Sequence, residues 1–106
     1  MYESDLKRLN QRKRKRRLDA ARKKGSHTKE QWEALKAEFG RCVRCGTDEY
    51  FLFKDHIIPI YQGGSDGVDN LQPLCAFCNT SKGAENFNWA EYRRAHGWHG
   101  LNLIKA

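Results

Sequence analysis

The stretch DHIIPIYQGGSDGVDNLQPLCAFCNTSKG, residues 55–83, sets an acid beside a histidine. It then crosses a glycine-rich segment to an asparagine and ends on a C-x-x-C pair with a second asparagine directly after it. Its first residues close the run YFLFKDHII, residues 50–58, whose aromatic and β-branched side chains read as a strand. Pro59 has no N–H to give a ladder and ends it. From Gln62 to Asn70 the Gly, Ser, Asp and Asn residues read as a loop. A short second strand is expected over 71–74, and a helix from about Asn79 or Thr80, cut short by Gly83.

Working outward, Cys42-Val43-Arg44-Cys45-Gly46 is a second knuckle, and 29 residues, 46–74, separate its Cys45 from Cys75. Upstream, Thr28-Lys29-Glu30-Gln31 has the capping-box pattern, and Trp32, Leu35 and Phe39 recur at helical spacing before Gly40. That predicts a helix over about 28–39. Downstream, Asn88-Trp89-Ala90-Glu91 predicts another, running to about Ala95. The expected class is α+β, with two short strands and a helix between flanking helices.

The chain has 106 residues, enough for one small domain and an arm, and a core that size needs a staple. The formal net charge is +7, and its distribution is uneven. Residues 1–25 hold eleven Lys/Arg and three acids, a net of +8, whereas residues 26–106 hold nine against ten. Residues 1–25 therefore read as a basic arm and 26–106 as the folded domain. Arg12, Lys13, Arg14, Lys15, Arg16 and Arg17 run without a break. Such an arm suits a polyphosphate backbone, because each neutralised phosphate releases condensed counterions. Residues 6–24 have helical composition but adjacent cations, so this segment is expected to fray alone and order on a polyanion. A solvated tail and a nuclear-localisation patch are the plainer readings. No apolar run approaches the roughly 20 residues that span a bilayer, and no secretory h-region is seen. The expected setting is soluble, cytoplasmic and reducing, without a membrane partner.

In that setting two C-x-x-C pairs point to a metal rather than to disulfides. Cys42, Cys45, Cys75 and Cys78 match a four-thiolate structural zinc site, although the spacing alone also admits an iron–sulfur cluster. Four thiolates leave no open coordination position, so this metal would organise the fold without taking part in chemistry. It would bring the strand carrying Asp55 and His56 near Asn79. A neutral imidazole, with an unperturbed pKa of ~6.5, can take a proton from water. Asp55 and Asn79 offer hard oxygens to a cation such as Mg²⁺, and Asn70 can bond backbone across the loop and hold His56 in one rotamer. Singly, each of these residues also has a structural reading: a satisfied histidine, a loop asparagine, a helix cap. Asp55 and His56 should face opposite sides of a regular strand, so a twist ahead of Pro59 must reconcile them.

The combined string CVRCG…DHIIPIYQGGSDGVDNLQPLCAFCNTSKG resembles the HNH endonuclease family, of the zinc-stapled ββα-metal type also met in McrA-like and phage enzymes. The likeness spans about residues 28–86 and makes this chain an H-N-N variant. It implies that His56 is the general base, that Asp55 and Asn79 hold a catalytic Mg²⁺, Mn²⁺ or other divalent ion, and that Asn70 orders the loop. Lys82, one turn past Asn79 on the same helical face, is expected to contact phosphate. The expected activity is metal-dependent hydrolysis of DNA phosphodiester bonds, nicking one strand per copy. RNA as substrate, monomer or homodimer, the site cut and the biological setting all stay open. The main alternative is a non-catalytic zinc-knuckle module that binds nucleic acid. A redox role for the C-x-x-C pairs is the third reading.

Other features carry plainer expectations. His96 and His99 are taken as surface or packing residues and His27 as solvated. Phe87, Trp89, Tyr92 and Trp98 are expected to pack against Trp32 and Phe39. Leu101, Leu103 and Ile104 are expected to pin the C-terminus.

Overall fold

The computed structural model describes residues 2–83 and 85–98, with side chains from Lys7 onward. His99, Leu101, Leu103 and Ile104 lie outside the described residues. The elements are α1 (Tyr2–Lys24), α2 (Lys29–Phe39), β1 (Leu52–His56), β2 (Leu71–Cys75), α3 (Ala76–Ser81) and α4 (Trp89–His96). Among the described residues no helix is long and apolar enough to cross a membrane. The fold is a small α+β arrangement around one antiparallel hairpin, with the four cysteines clustered at one end.

The hairpin pairs Leu52 with Cys75 at one end and His56 with Leu71 at the other. Every residue of β2 is buried, so this strand is the spine of the molecule. Its side chains divide two apolar clusters. Leu71 packs with Trp32 and Leu35 of α2, and Leu74 packs with Val43 and the cysteines. Helix α2 is set against the spine by its capping box. Thr28 Oγ1 accepts from the Gln31 N–H at 3.0 Å, and Gln31 Oε1 accepts from the Thr28 N–H at 2.8 Å. Gly40, at a φ of 67°, ends the helix by donating to the Lys36 carbonyl.

Trp89 and Trp98 pack on the cysteine cluster, together with Phe39, and Trp32 belongs to the other cluster. The expected contact of these C-terminal aromatics with Trp32 is therefore replaced by contact with the knuckles. Arg93 explains the placement. From the buried face of α4 its Nε donates to the Val43 carbonyl at 2.7 Å and its Nη2 to the Arg44 carbonyl at 2.9 Å. One guanidinium thus satisfies two carbonyls of the first knuckle and draws α4 onto it.

Helix α3 starts at Ala76, three residues before Asn79. The second knuckle itself winds into the first helical turn, with extended Cys75 at its head, so Asn79 lies inside the helix and does not cap it. Helix α1 ends tied to the loop between the strands. Lys24 Nζ donates to the Gly63 carbonyl at 2.9 Å, and the Asp66 N–H is shared by the carbonyls of Ala21 and Gly25.

Candidate active site and metal centre

At the Leu52–Cys75 end, all four Sγ atoms lie within 4.8 Å of one another, with Cys45 and Cys75 3.8 Å apart. A tetrahedron with ~2.3 Å metal–sulfur bonds has edges of about 3.8 Å, whereas a disulfide needs ~2.05 Å. All four cysteines are free. The donor set therefore fits a tetrahedral metal such as zinc. Local polarity agrees: burial works against the Cys42 thiolate, but backbone N–H groups of Cys45, Cys75 and Arg44 outweigh it and hold this thiol below its ordinary range. Burial pushes the Cys45 and Cys78 thiols up, and the neighbouring Cys42 adds to this. A cation among the sulfurs would remove that mutual repulsion. Four sulfurs close its coordination, so no substrate can reach it.

The opposite end is polar. Asp55, His56 and Asn79 border one open pocket of about 240 Å³, together with Lys54, the Pro59–Tyr61 segment, Lys82 and Gly83. The strand-alternation difficulty resolves at the strand's edge. His56 is the last paired residue, so its ring turns along the loop while Asp55 faces inward.

Asp55 is deeply engaged. Lys82 Nζ donates to Oδ1 at 3.0 Å and Oδ2 at 2.8 Å, and Gln72 Nε2 donates to Oδ2 at 2.8 Å. Lys82 also reaches the carbonyls of His56 and Ile57, and its side chain is only 4% exposed. Its ammonium has three protons and four acceptors, so the phosphate contact expected of Lys82 gives way to a buried structural pair. Three of roughly four lone-pair positions on Asp55 are used, which leaves one, on Oδ1, without a partner among these groups. Asn79 borders the same pocket, and any cation there would have to share the Asp55 carboxylate with the Lys82 ammonium.

Asn70 is buried and bridges the loop. Its Oδ1 accepts from the Ile58 N–H at 2.9 Å, and its Nδ2 donates to the carbonyls of Ile58 at 3.0 Å and Ser65 at 2.7 Å. These bonds bring Gly64 so close that a Cβ there would collide with the Ile58 carbonyl, so only glycine fits. The chain leaving His56 is thereby locked to the chain entering β2.

Two residues enter the site unannounced by spacing. Asp66 Oδ1 lies 2.8 Å from His56 Nε2. His27, expected in solvent, has a side chain only 8% exposed and meets the Asp66 carbonyl through Nδ1 at 2.7 Å. In sequence Asp66 is one aspartate among loop residues and His27 a polar residue before a helix cap. Only the folding of the arm onto the loop gives either a partner.

The basic residues 12–17 lie on α1 and are all exposed, and Leu18 after them is half-buried. Arg14 and Arg17 border a small cleft with Ile60 and Tyr61, and these two residues also border the His56 pocket. His96 is exposed and stacks on Tyr92, with ring centres 4.7 Å apart. Among the described residues, the four cysteines form the metal-competent cluster.

No curated protein and no solved structure matches the chain. Residues 42–85 match the family model described as HNH endonuclease. The matched segment runs from the first knuckle through the hairpin and the pocket to the end of α3. The likeness is to an HNH endonuclease domain and covers this segment, less than half of the chain.

Proposed function

We propose that the chain is a metal-dependent DNA endonuclease of the H-N-N type, and that His56 is its general base. The observation that carries this reading is the convergence of Asp55, His56 and Asn79 on one open pocket, next to a cleft bordered by Arg14 and Arg17. His56 takes a proton from a water held in the pocket. That water's oxygen bonds to phosphorus, the bond from phosphorus to a sugar oxygen breaks, and the leaving oxygen takes up a proton from solvent. Asp55 and Asn79 would hold a divalent ion, Mg²⁺ or Mn²⁺, which when bound offsets charge on the phosphate and the leaving oxygen. The cysteines would hold zinc, which when bound ties the two knuckles at the Leu52–Cys75 end of the hairpin. The arm contacts backbone phosphates without reading sequence, since among the described residues no element with side chains suited to groove edges accompanies it.

The non-catalytic alternative draws support from the Asp55 carboxylate, which is already occupied by Lys82 and Gln72. Supercoiled plasmid separates the two readings. The nuclease relaxes or linearises it with Mg²⁺ or Mn²⁺ and stops with EDTA, and His56→Ala binds DNA while cutting at least ~10²-fold more slowly. Equal behaviour of wild type and His56→Ala with every divalent ion would establish the binding module instead.

A further inference from the structure

The contact between His56 and Asp66 has a chemical direction. A carboxylate only accepts, so the proton in the 2.8 Å bond belongs to His56 Nε2, and the lone pair of the neutral ring is left on Nδ1. Asp66 is 7% exposed and is held from several sides. Its N–H donates to the Ala21 and Gly25 carbonyls, and its carbonyl accepts from His27 Nδ1. Its second oxygen, Oδ2, faces Arg22 Nε at 3.7 Å and His27 Nδ1 at 3.6 Å. The His27 proton on Nδ1 is required by the same logic, because a carbonyl cannot donate. The carboxylate thus turns one oxygen to the ring of His56 and the other toward the Arg22 guanidinium and the His27 ring at ion-pair range, at the root of the basic arm.

We infer that Asp66 is a positioning residue that holds His56 as the Nε2–H tautomer with Nδ1 free to take a proton, and that Arg22 and His27 fix Asp66 in that orientation. The effect on rate rests on the nuclease reading, whereas the tautomer does not. A purely structural Asp66 would need only its backbone, which already ties the loop to Ala21, Gly25 and His27.

Asp66→Asn separates these roles. It keeps the backbone bonds and nearly the same shape. Its amide oxygen is drawn to the Arg22 guanidinium, which turns the amide NH₂ toward His56 Nε2. The ring must then accept at Nε2 and carry its proton on Nδ1, which removes the free lone pair. The experiment is a long-range ¹H–¹⁵N spectrum of the histidines in the full zinc-loaded chain, at a pH where the rings are neutral, alongside plasmid-nicking kinetics. Wild type should show His56 as Nε2–H and Asp66→Asn should shift it to Nδ1–H. The variant's kcat should fall by on the order of 10²- to 10⁴-fold, with KM within about threefold of wild type. Asp66→Glu, which keeps the carboxylate, should restore the Nε2–H signal.

Wild-type His56 found as Nδ1–H overturns the proposal even if Asp66→Asn fails to fold. An unchanged tautomer or an unchanged kcat in a folded Asp66→Asn overturns it as well. If wild type does not cut DNA but its tautomer follows Asp66, the nuclease reading fails and the positioning role stands.

Discussion

The two ends of one hairpin of five-residue strands are built on opposite principles. Where Leu52 meets Cys75, four residues of one kind converge on a single point and are enclosed by Val43, Leu74, Trp89 and Trp98. Where His56 meets Leu71, charged and polar groups arrive from the arm junction, the loop, β2 and α3, and each is held by a different hydrogen bond. The first end would concentrate its stability in one ion with closed coordination. The second distributes stability over a network, and that network leaves His56, Asn79 and part of Asp55 facing an open pocket. Closure at one end is what permits the other to stay open in so small a chain.

The contrast breaks most severely at the cysteines. Chelating the metal, or replacing Cys78 by Ser, should abolish the cooperative thermal transition, because structural zinc supplies ~10–16 kcal/mol of apparent binding free energy in small domains. Circular dichroism during a melt, with and without chelator, reads this directly. A folded metal-free chain would mean that the polar end suffices.

The polar end should fail by a smaller, graded amount. Lys82→Met leaves the Asp55 carboxylate buried without its ammonium, and urea midpoints should show a loss of about 3–5 kcal/mol. Adding Asp55→Asn to Lys82→Met should return much of that loss, since the uncompensated charge is then gone. A loss under ~1 kcal/mol for Lys82→Met would show the pair to be solvated and the two ends less different than described.

The Glu38–Arg94 bridge between α2 and α4, with Arg94 Nε 2.7 Å from Oε2, belongs to neither end and sets the baseline. Both partners are exposed, so Arg94→Ala should cost under ~1 kcal/mol. The hydrogen bond from Arg94 lowers the Glu38 carboxyl from its ordinary range. A lowered carboxyl contributes stability above its unfolded pKa and loses it as pH falls through the folded value. The gap between wild type and Arg94→Ala should therefore close in acid, as read from melts across pH.

How much of this was legible in the sequence follows the same division. Cys42, Cys45, Cys75 and Cys78 advertise their role through spacing, because few structures other than a metal cage use two such pairs. Both strands, the capping box at Thr28 and the cap at Asn88 were legible because their signals are local: strand composition, and a side chain three residues from its partner. The start of α3 was misplaced because Cys75 acts at once as knuckle and as helix head, a double use that composition does not mark. Asp66 and His27 were illegible for a different reason. They meet across 39 residues of chain, and a turn aspartate looks the same whether it faces water or an imidazole. Lys82 was judged by its helical face, and its long stem then carried the ammonium inward to Asp55.

The measurement that bears most directly on the division of labour between the two ends is anomalous diffraction from crystals of the zinc-loaded chain grown with Mn²⁺, recorded at the edges of both metals. The account expects zinc among the four Sγ atoms and manganese in the other pocket, in contact with Asp55 and Asn79 and beside Nδ1 of His56. Manganese among the sulfurs, or a pocket without it while Lys82 still covers Asp55, would contradict the account.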